Sequence, residues 1–344
     1  MKIKLIYFFT LAGIFIIFLI LNLALFQRMF RADPADVTLK IKKGDNLRYI
    51  ATELEEKQVI ENKNIFILTG RLLGYQNEII PGEYNFPNGL TNLDILKKIT
   101  DPNSVRYFTV TIPEGMNIRQ IGRLLQRQLG LDSAGFVQAA YNDSLINLLG
   151  VEAENLEGYL FPDTYRISFS PYGNTEENIV SMMAANFRKK ITPELKEEMD
   201  NENLDLKDVI TMASIIEGET RYEPEKKTIA GVYYNRLKKH MKLEADPTVQ
   251  YAIPDGPKRR LVYSDLKYPS PYNTYLHRGL PPGPINNPGL SSIIAAIEPE
   301  ENNYLYFVAK GNGSHRFAET YKEHKENIQL YKEYLEEQKE NNNK

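Results

Sequence analysis

The segment ITMASIIEGET (Ile210–Thr220) ends in two carboxylates with a single glycine between them. On a helical wheel centred on Val209, the residues Ala213, Ile216 and Thr220 fall within about 40° of one line, which marks a packed stripe. Glu217 and Glu219 then lie roughly 80° to either side of it. A carboxyl half-sunk against apolar neighbours loses hydration in its charged form, so it holds a proton to higher pH and can serve as a general acid. The competing reading is a pair of solvated edge residues, ion-paired with Arg221, Arg188 or Lys226. The wheel alone leaves both readings open.

Residue types able to hold a sugar follow downstream. The stretch SPYNTYLHRGLPPGPINNPG, residues 270–289, carries five prolines in 20 residues, too long and too stiff for a mere connection. Its Tyr272, Asn273 and Tyr275 offer flat rings and amide edges for a sugar ring, the alternative being a rigid structural loop. Before it, GVYYNRLKKHMKLEADPTVQYAI places Asn235 on a helix and Asp246 and Thr248 in an Asp-Pro-Thr turn. These three join the candidate substrate-binding set, as does Glu217. Cysteine is absent, so the chain has no disulfide, no thiolate–zinc site and no cysteine nucleophile. None of the four histidines has a ligand-like spacing such as HxxxH, and a metal site is not expected.

The elements that carry these residues begin with an anchor. LIYFFTLAGIFIIFLILNLALF (Leu5–Phe26) is 22 residues without a charge, enough as a helix to cross about 30 Å of hydrocarbon. It exceeds a signal-peptide core and lacks a small-residue cleavage site, so it is expected to remain as a single transmembrane helix. Lys2 and Lys4 precede it and Arg28 and Arg31 follow, so charge discriminates orientation poorly. The short head, residues 1–4, and the long tail favour a cytoplasmic N-terminus and an extracytoplasmic body at the cell membrane. The chain has 42 Lys and Arg against 45 Asp and Glu, and its first 31 residues hold four of the bases and no acid. The acidic remainder offers no footprint for nucleic acid.

A polar linker, residues 27–36, leads into two segments that resemble each other. VTLKIKKGDNLRYIATEL from Val37 and FTVTIPEGMNIRQIGRLL from Phe108 align at an offset of 71, pairing Gly44 with Gly115, Asn46 with Asn117 and Arg48 with Arg119. Each reads as an alternating strand, a turn glycine, a capping Asn and an amphipathic helix. PGEYNFPNGLTNLDILKKIT adds a strand and a helix capped by Thr91 or Asn92, closing a unit over 37–105. Helices are expected over Thr175–Lys190 and after Thr192, with Pro193 in the first helical position. A strand, a Gly-Asn-Gly turn and a helix close the body over 106–330, and residues 331–344 read as a charged, fraying tail. The fold class expected is α+β.

Two resemblances sharpen this reading. IKKGDNLRYIATEL resembles the opening of a lysin-motif module, the small βααβ fold that grips peptidoglycan glycan. MASIIEGET, YYNRL, DPTVQY, SPYNTY, GLPPGPINNPG and YLYFVA, with LEGYLFPDTY and TIPEGMNIRQI, resemble the endolytic murein transglycosylase family in order along nearly the whole chain. The resemblance implies a membrane-anchored lyase that cleaves the MurNAc–GlcNAc β-1,4 bond of nascent strands, leaves 1,6-anhydro-MurNAc ends and partners the peptidoglycan synthesis machinery. It also implies that the catalytic acid is Glu219, the carboxylate directly before a hydroxyl residue, here Thr220. The muramyl C6 hydroxyl would supply the nucleophile, so no water, metal or cofactor would take part. Gly218 departs from the longer residue that often stands there, and is read as the mark of a helix end. Two rivals remain: a non-catalytic glycan-binding scaffold, and a hydrolytic muramidase pairing Glu219 with Glu217 or Asp246.

Overall fold

The computed structural model describes residues 35–42, 44–105, 108–150, 153–167, 175–254 and 256–342, with Phe15, Asn22, Leu25 and Phe30 as isolated positions before them. The segment read as an anchor otherwise lies outside the described residues. Among the described residues no helix is long and apolar enough to cross a membrane. Among the described residues helices mix with three two-stranded sheets, an α+β fold. It divides into two compact units, one of Met1–Val110, Leu125–Leu131 and Tyr165–Thr175, the other of Thr111–Leu124, Asp132–Thr164 and Glu176–Lys344.

In the first unit, β1 (Val37–Ile41) pairs antiparallel with β2 (Gly82–Phe86), Val37 opposite Phe86 and Ile41 opposite Gly82. Between them lie α1 (Leu47–Glu56) and α2 (Lys63–Leu72), and α3 (Asn92–Thr100) follows β2. Alternation turns Leu39 and Ile41 inward from β1, where they meet Ile50, Leu54, Phe66 and Tyr84 in one apolar cluster. Thr91, not Asn92, caps α3, and Asp94 returns the bond to complete a capping box.

The 71-residue repeat is a repeat of local geometry. β3 (Phe108–Thr111) leads through a turn to α4 (Ile118–Leu129), as β1 leads to α1. Gly44 and Gly115 both take positive φ, +95° and +75°, where a Cβ would strain the backbone. Asn46 and Asn117 each accept the N–H of the residue three positions on, at 3.0 and 2.9 Å. β3 pairs with β4 (Thr164–Ile167).

The second unit is mostly helical. α5 (Ser133–Ala140), α6 (Asp143–Leu149), α7 (Thr175–Lys190) and α8 (Pro193–Asn201) precede the helix of interest, α9 (Leu206–Glu219). Thr192 caps α8, its hydroxyl accepting from the Leu195 N–H with Pro193 in the first turn. α10 (Lys226–Lys238), α11 (Asp246–Ala252) and α12 (Leu290–Ile297) pack on α9. β5 (Tyr306–Ala309) and β6 (His315–Ala318) form an antiparallel hairpin, and α13 (Tyr321–Asn342) carries the charged end of the chain.

The wheel of α9 needs correcting. Every residue from Val209 to Glu217 is buried, so the helix is enclosed all round rather than amphipathic with a solvated back. Its polar members are satisfied internally, Thr211 Oγ1 donating to Lys207 O and Ser214 Oγ to Thr211 O. The end of the stretch 270–289 belongs to the core: Ile285, Asn286 and Asn287 are buried. Asn287 Oδ1 accepts from the Gly158 and Leu160 N–H groups while its Nδ2 donates to Met116 O, tying three segments together.

Candidate active site

The end of α9 separates the two carboxylates by their partners. Glu217 is enclosed, and its Oε2 accepts from Lys226 Nζ at 3.2 Å, Ser292 Oγ at 2.6 Å and the Gly289 N–H at 3.1 Å. Lys226 and Glu217 are 3% and 5% exposed, so this is a buried ion pair, completed by a bond from Lys226 to Ser291 Oγ. Glu217 thus fastens α9 to the first turn of α12, where a negative charge also suits the helix N-terminus. Lys226, one of the three cations weighed as partners, is the one used.

Among the described residues no cation is bonded to Glu219. Its Oε1 accepts from the Tyr233 phenol at 2.6 Å, and its carboxyl is only partly shielded from the cleft above. Desolvation pushes the carboxyl up to about 7, with repulsion from Asp246 adding and the Tyr233 bond and the Arg236 charge opposing. Burial also holds the Tyr233 phenol well above its ordinary range, so it stays a donor. The carboxyl therefore shares its proton near neutral pH, the state a general acid needs.

Gly218 does not end the helix, which runs through Glu219 to a cap at Thr220. Its reason is close approach: a Cβ at 218 would sit 2.6 Å from Pro247 Cβ, so only glycine lets α11 close over the end of α9. The Thr220 hydroxyl accepts from the Tyr222 N–H at 3.0 Å, closing a turn as the chain leaves the helix.

The cleft over Glu219 measures about 500 Å³, within the range of small-molecule sites. Glu217, Gly218, Glu219 and Thr220 line its base, with Asp246, Pro247, Gln250 and Tyr251 of α11 on one side and Glu114, Gly115, Asn117 and Gln120 on another. A second lobe of about 250 Å³ shares Asn117, Gln250 and Tyr251 with it and holds Arg119, Arg123, Tyr141, Glu157 and Tyr272. Among the described residues no group of three or more metal-ligating side chains is assembled.

The remaining candidates divide. Asp246 lines the main cleft, its Oδ1 accepting from Tyr275 OH at 2.7 Å, and Tyr272 lines the second lobe with its ring centroid 4.9 Å from that of Tyr251. Three are placed elsewhere. Asn235 donates to Asn302 O and Tyr304 O, locking α10 to the segment before β5. Thr248 is fully buried, its hydroxyl on Ala245 O and Thr274. Asn273 is equally buried, donating to Leu266 O and Tyr268 O while accepting from the Tyr275 N–H. These residue types suggested sugar contacts, and the backbone claimed them first.

Among the residues the candidate set lacked are Tyr233, buried behind Glu219, and Glu114, in the cleft lining. Tyr233 stood inside the YYNRL string, and a tyrosine within a buried helical stripe needs a partner for its hydroxyl, which was the available signal. Glu114, beside Gly289, has its carboxyl raised by desolvation and then by the Glu217 charge. Nothing local in TIPEG marks it.

The YceG-like family model matches residues 39–330. The chain belongs to the YceG-like family. It is 33% identical over 322 residues to a Bacillus subtilis protein named endolytic murein transglycosylase, spanning 90% of this chain and 88% of that one. A Streptococcus pneumoniae protein of the same name is 30% identical over 322 residues, and the match covers 85% of this chain but 58% of that longer relative. A crystal structure of a yceG-like protein from Listeria monocytogenes superposes with a TM-score of 0.62 at 33% identity, over 85% of this chain and 98% of its own.

Proposed function

We propose that this chain is an endolytic murein transglycosylase in which Glu219 is the sole acid–base group. The observation that carries the reading is the Glu219 carboxyl at the base of the cleft, held by a phenol rather than a cation and raised to about 7. The shared name of the relatives at 30% and 33% identity supports the substrate class, the glycan strand of peptidoglycan.

Protonated Glu219 gives its proton to the leaving GlcNAc O4 as the C1–O4 bond breaks. The resulting carboxylate takes the proton of the muramyl C6 hydroxyl as that oxygen bonds to C1, closing the 1,6-anhydro ring. The acid is regenerated, and the reaction needs no metal or cofactor. An ordinary glycosidase requires a second carboxylate as nucleophile or base. Glu217 is committed to Lys226 and Ser292, and an oxygen of Asp246 is committed to Tyr275, which disfavours a muramidase built on either. Asp246 and Tyr272 remain our substrate-binding residues, with Tyr275 acting through Asp246.

The rest of the reading follows from where such strands are made. Leu5–Phe26 anchors the chain once through the cell membrane, N-terminus cytoplasmic. The lysin-motif-like unit over 37–105 holds glycan, and the catalytic part works outside beside the synthesis machinery. Mass spectrometry of strands digested by the purified chain tests the activity. Anhydro ends are expected, reducing ends would make it a muramidase, and no cleavage would leave a glycan-binding scaffold.

A further inference from the structure

The second lobe of the cleft has a chemistry that neutral sugar rings do not call for. Arg119 and Arg123 stand one turn apart on α4, both exposed, and both line it. Neither makes a salt bridge or hydrogen bond among the described residues. The carboxyl that shares the lobe, Glu157, faces inward: its oxygens accept from the Ile118 N–H at 3.0 and 3.2 Å and from Asn287 Nδ2 at 3.0 Å. Burial raises it to about 8, so near neutral pH it does not cancel the arginines, although the Arg119 charge is felt there. Glu154 is felt at Tyr272 but does not line the lobe. Tyr141, Tyr251 and Tyr272 complete an aromatic wall.

We propose that this lobe is an anion subsite in which Arg119 and Arg123 grip a carboxylate on the peptide branch of the glycan strand. The inference rests on the proposed action on peptidoglycan. Two fork-shaped donors with no competing anion match a carboxylate, and the tyrosines suit the short chain that bears it. Sugar rings of the strand carry no charge, whereas the stem peptide does. The lobe shares Asn117, Gln250 and Tyr251 with the cleft over Glu219, so a strand reacting at Glu219 presents a neighbouring branch to it. The subsite selects peptide-bearing stretches for cutting.

The test uses strands with intact stem peptides and the same strands stripped by an amidase, which leaves a lactyl carboxylate in place of the peptide. The full chain is expected to cut intact strands with higher kcat/KM. Arg119→Gln and Arg123→Gln should each lower kcat/KM on intact strands roughly ten-fold to a hundred-fold and remove the preference. Both positions are exposed, so folding is preserved and melting temperature checks it. Arg123→Lys, which keeps the charge but not the fork, should recover part of the loss. If stripped strands are cut as well as intact ones and suffer the same loss in the variants, the lactyl group is the ligand and the peptide assignment fails. Variants with wild-type rate and preference overturn the subsite altogether. Binding of both strand types to the Glu219→Gln chain is measured alongside. If the wild-type chain cuts nothing yet the arginine changes weaken binding to intact strands, the transglycosylase reading fails and the subsite stands.

Discussion

Glu219→Gln should move activity and stability in opposite directions, and the second movement should depend on pH. Glutamine keeps the shape of the carboxyl and an acceptor for Tyr233 OH, but it can neither give nor take the transferred proton. General acid–base catalysis contributes roughly a hundred-fold to ten-thousand-fold. Since one group serves both proton transfers here, we expect the loss near the upper figure. Stability follows from linkage. The folded carboxyl is raised from its ordinary 4.5 to about 7. Below pH 4.5 it is protonated in both folded and unfolded chains, and burial exacts nothing. As pH rises through about 7 the unfolded chain has already ionised while the folded one resists, so the folded state loses stability. At about 1.4 kcal/mol per tenfold, the full loss is about 3 kcal/mol at most, reduced by the carboxyl's partial contact with solvent. The glutamine variant escapes it. Thermal melts of the two chains should coincide near pH 4 and separate above pH 7 with the variant higher, while anhydro-end formation collapses at every pH. A variant that keeps activity within a few-fold, or whose stability gain is the same at pH 4 and pH 8, refutes the assignment of Glu219 as the proton-bearing group.

Glu217→Gln should do the reverse, lowering the melting temperature by removing one partner of a buried pair, a loss of about 3–5 kcal/mol, while the folded fraction still cuts; a dead but stable variant would exchange the roles of the two glutamates. Gly218→Ala should cost roughly 1–3 kcal/mol through overpacking on Pro247, read as a lower urea midpoint, and wild-type stability would show that α11 can withdraw. Asn273→Ala should lose stability, since Leu266 O, Tyr268 O and the Tyr275 N–H are left unpaired at roughly 1–3 kcal/mol for each unsatisfied group, with specific activity kept within a few-fold. Lost turnover at an unchanged melting temperature would return Asn273 to the site.

The sequence was legible wherever a feature depends on near neighbours. Asn46, Asn117, Thr91 and Thr192 declare themselves as caps because the N–H groups they satisfy lie three residues on. Gly44 and Gly115 declare turns for the same reason. The periodicity of α9 misled because a helical wheel assumes water on one side. The elements that enclose this helix begin at Lys226, Asp246 and Leu290, and nothing in its own sequence announces them. Gly218 is likewise explained by Pro247, and the sugar-like side chains of Asn235, Thr248 and Asn273 by backbone groups elsewhere in the unit.

The difference between Glu217 and Glu219 is the clearest case of chemistry that local pattern could not decide. The two lie on one helix turn, Glu217 buried and Glu219 half-buried at the cleft, and their partners differ. Glu217 meets a lysine, a serine hydroxyl and a backbone N–H, donors that stabilise its charge and bind it into the core. Glu219 meets one phenol, which cannot offset desolvation together with the Asp246 charge. Had Lys226 reached Glu219 instead, the pKa of Glu219 would fall and that carboxyl would have no proton to give at neutral pH. The glycine between them therefore matters twice over: it lets α11 bring Pro247 and Asp246 against the end of α9, and Asp246 is the nearby charge that helps keep Glu219 protonated.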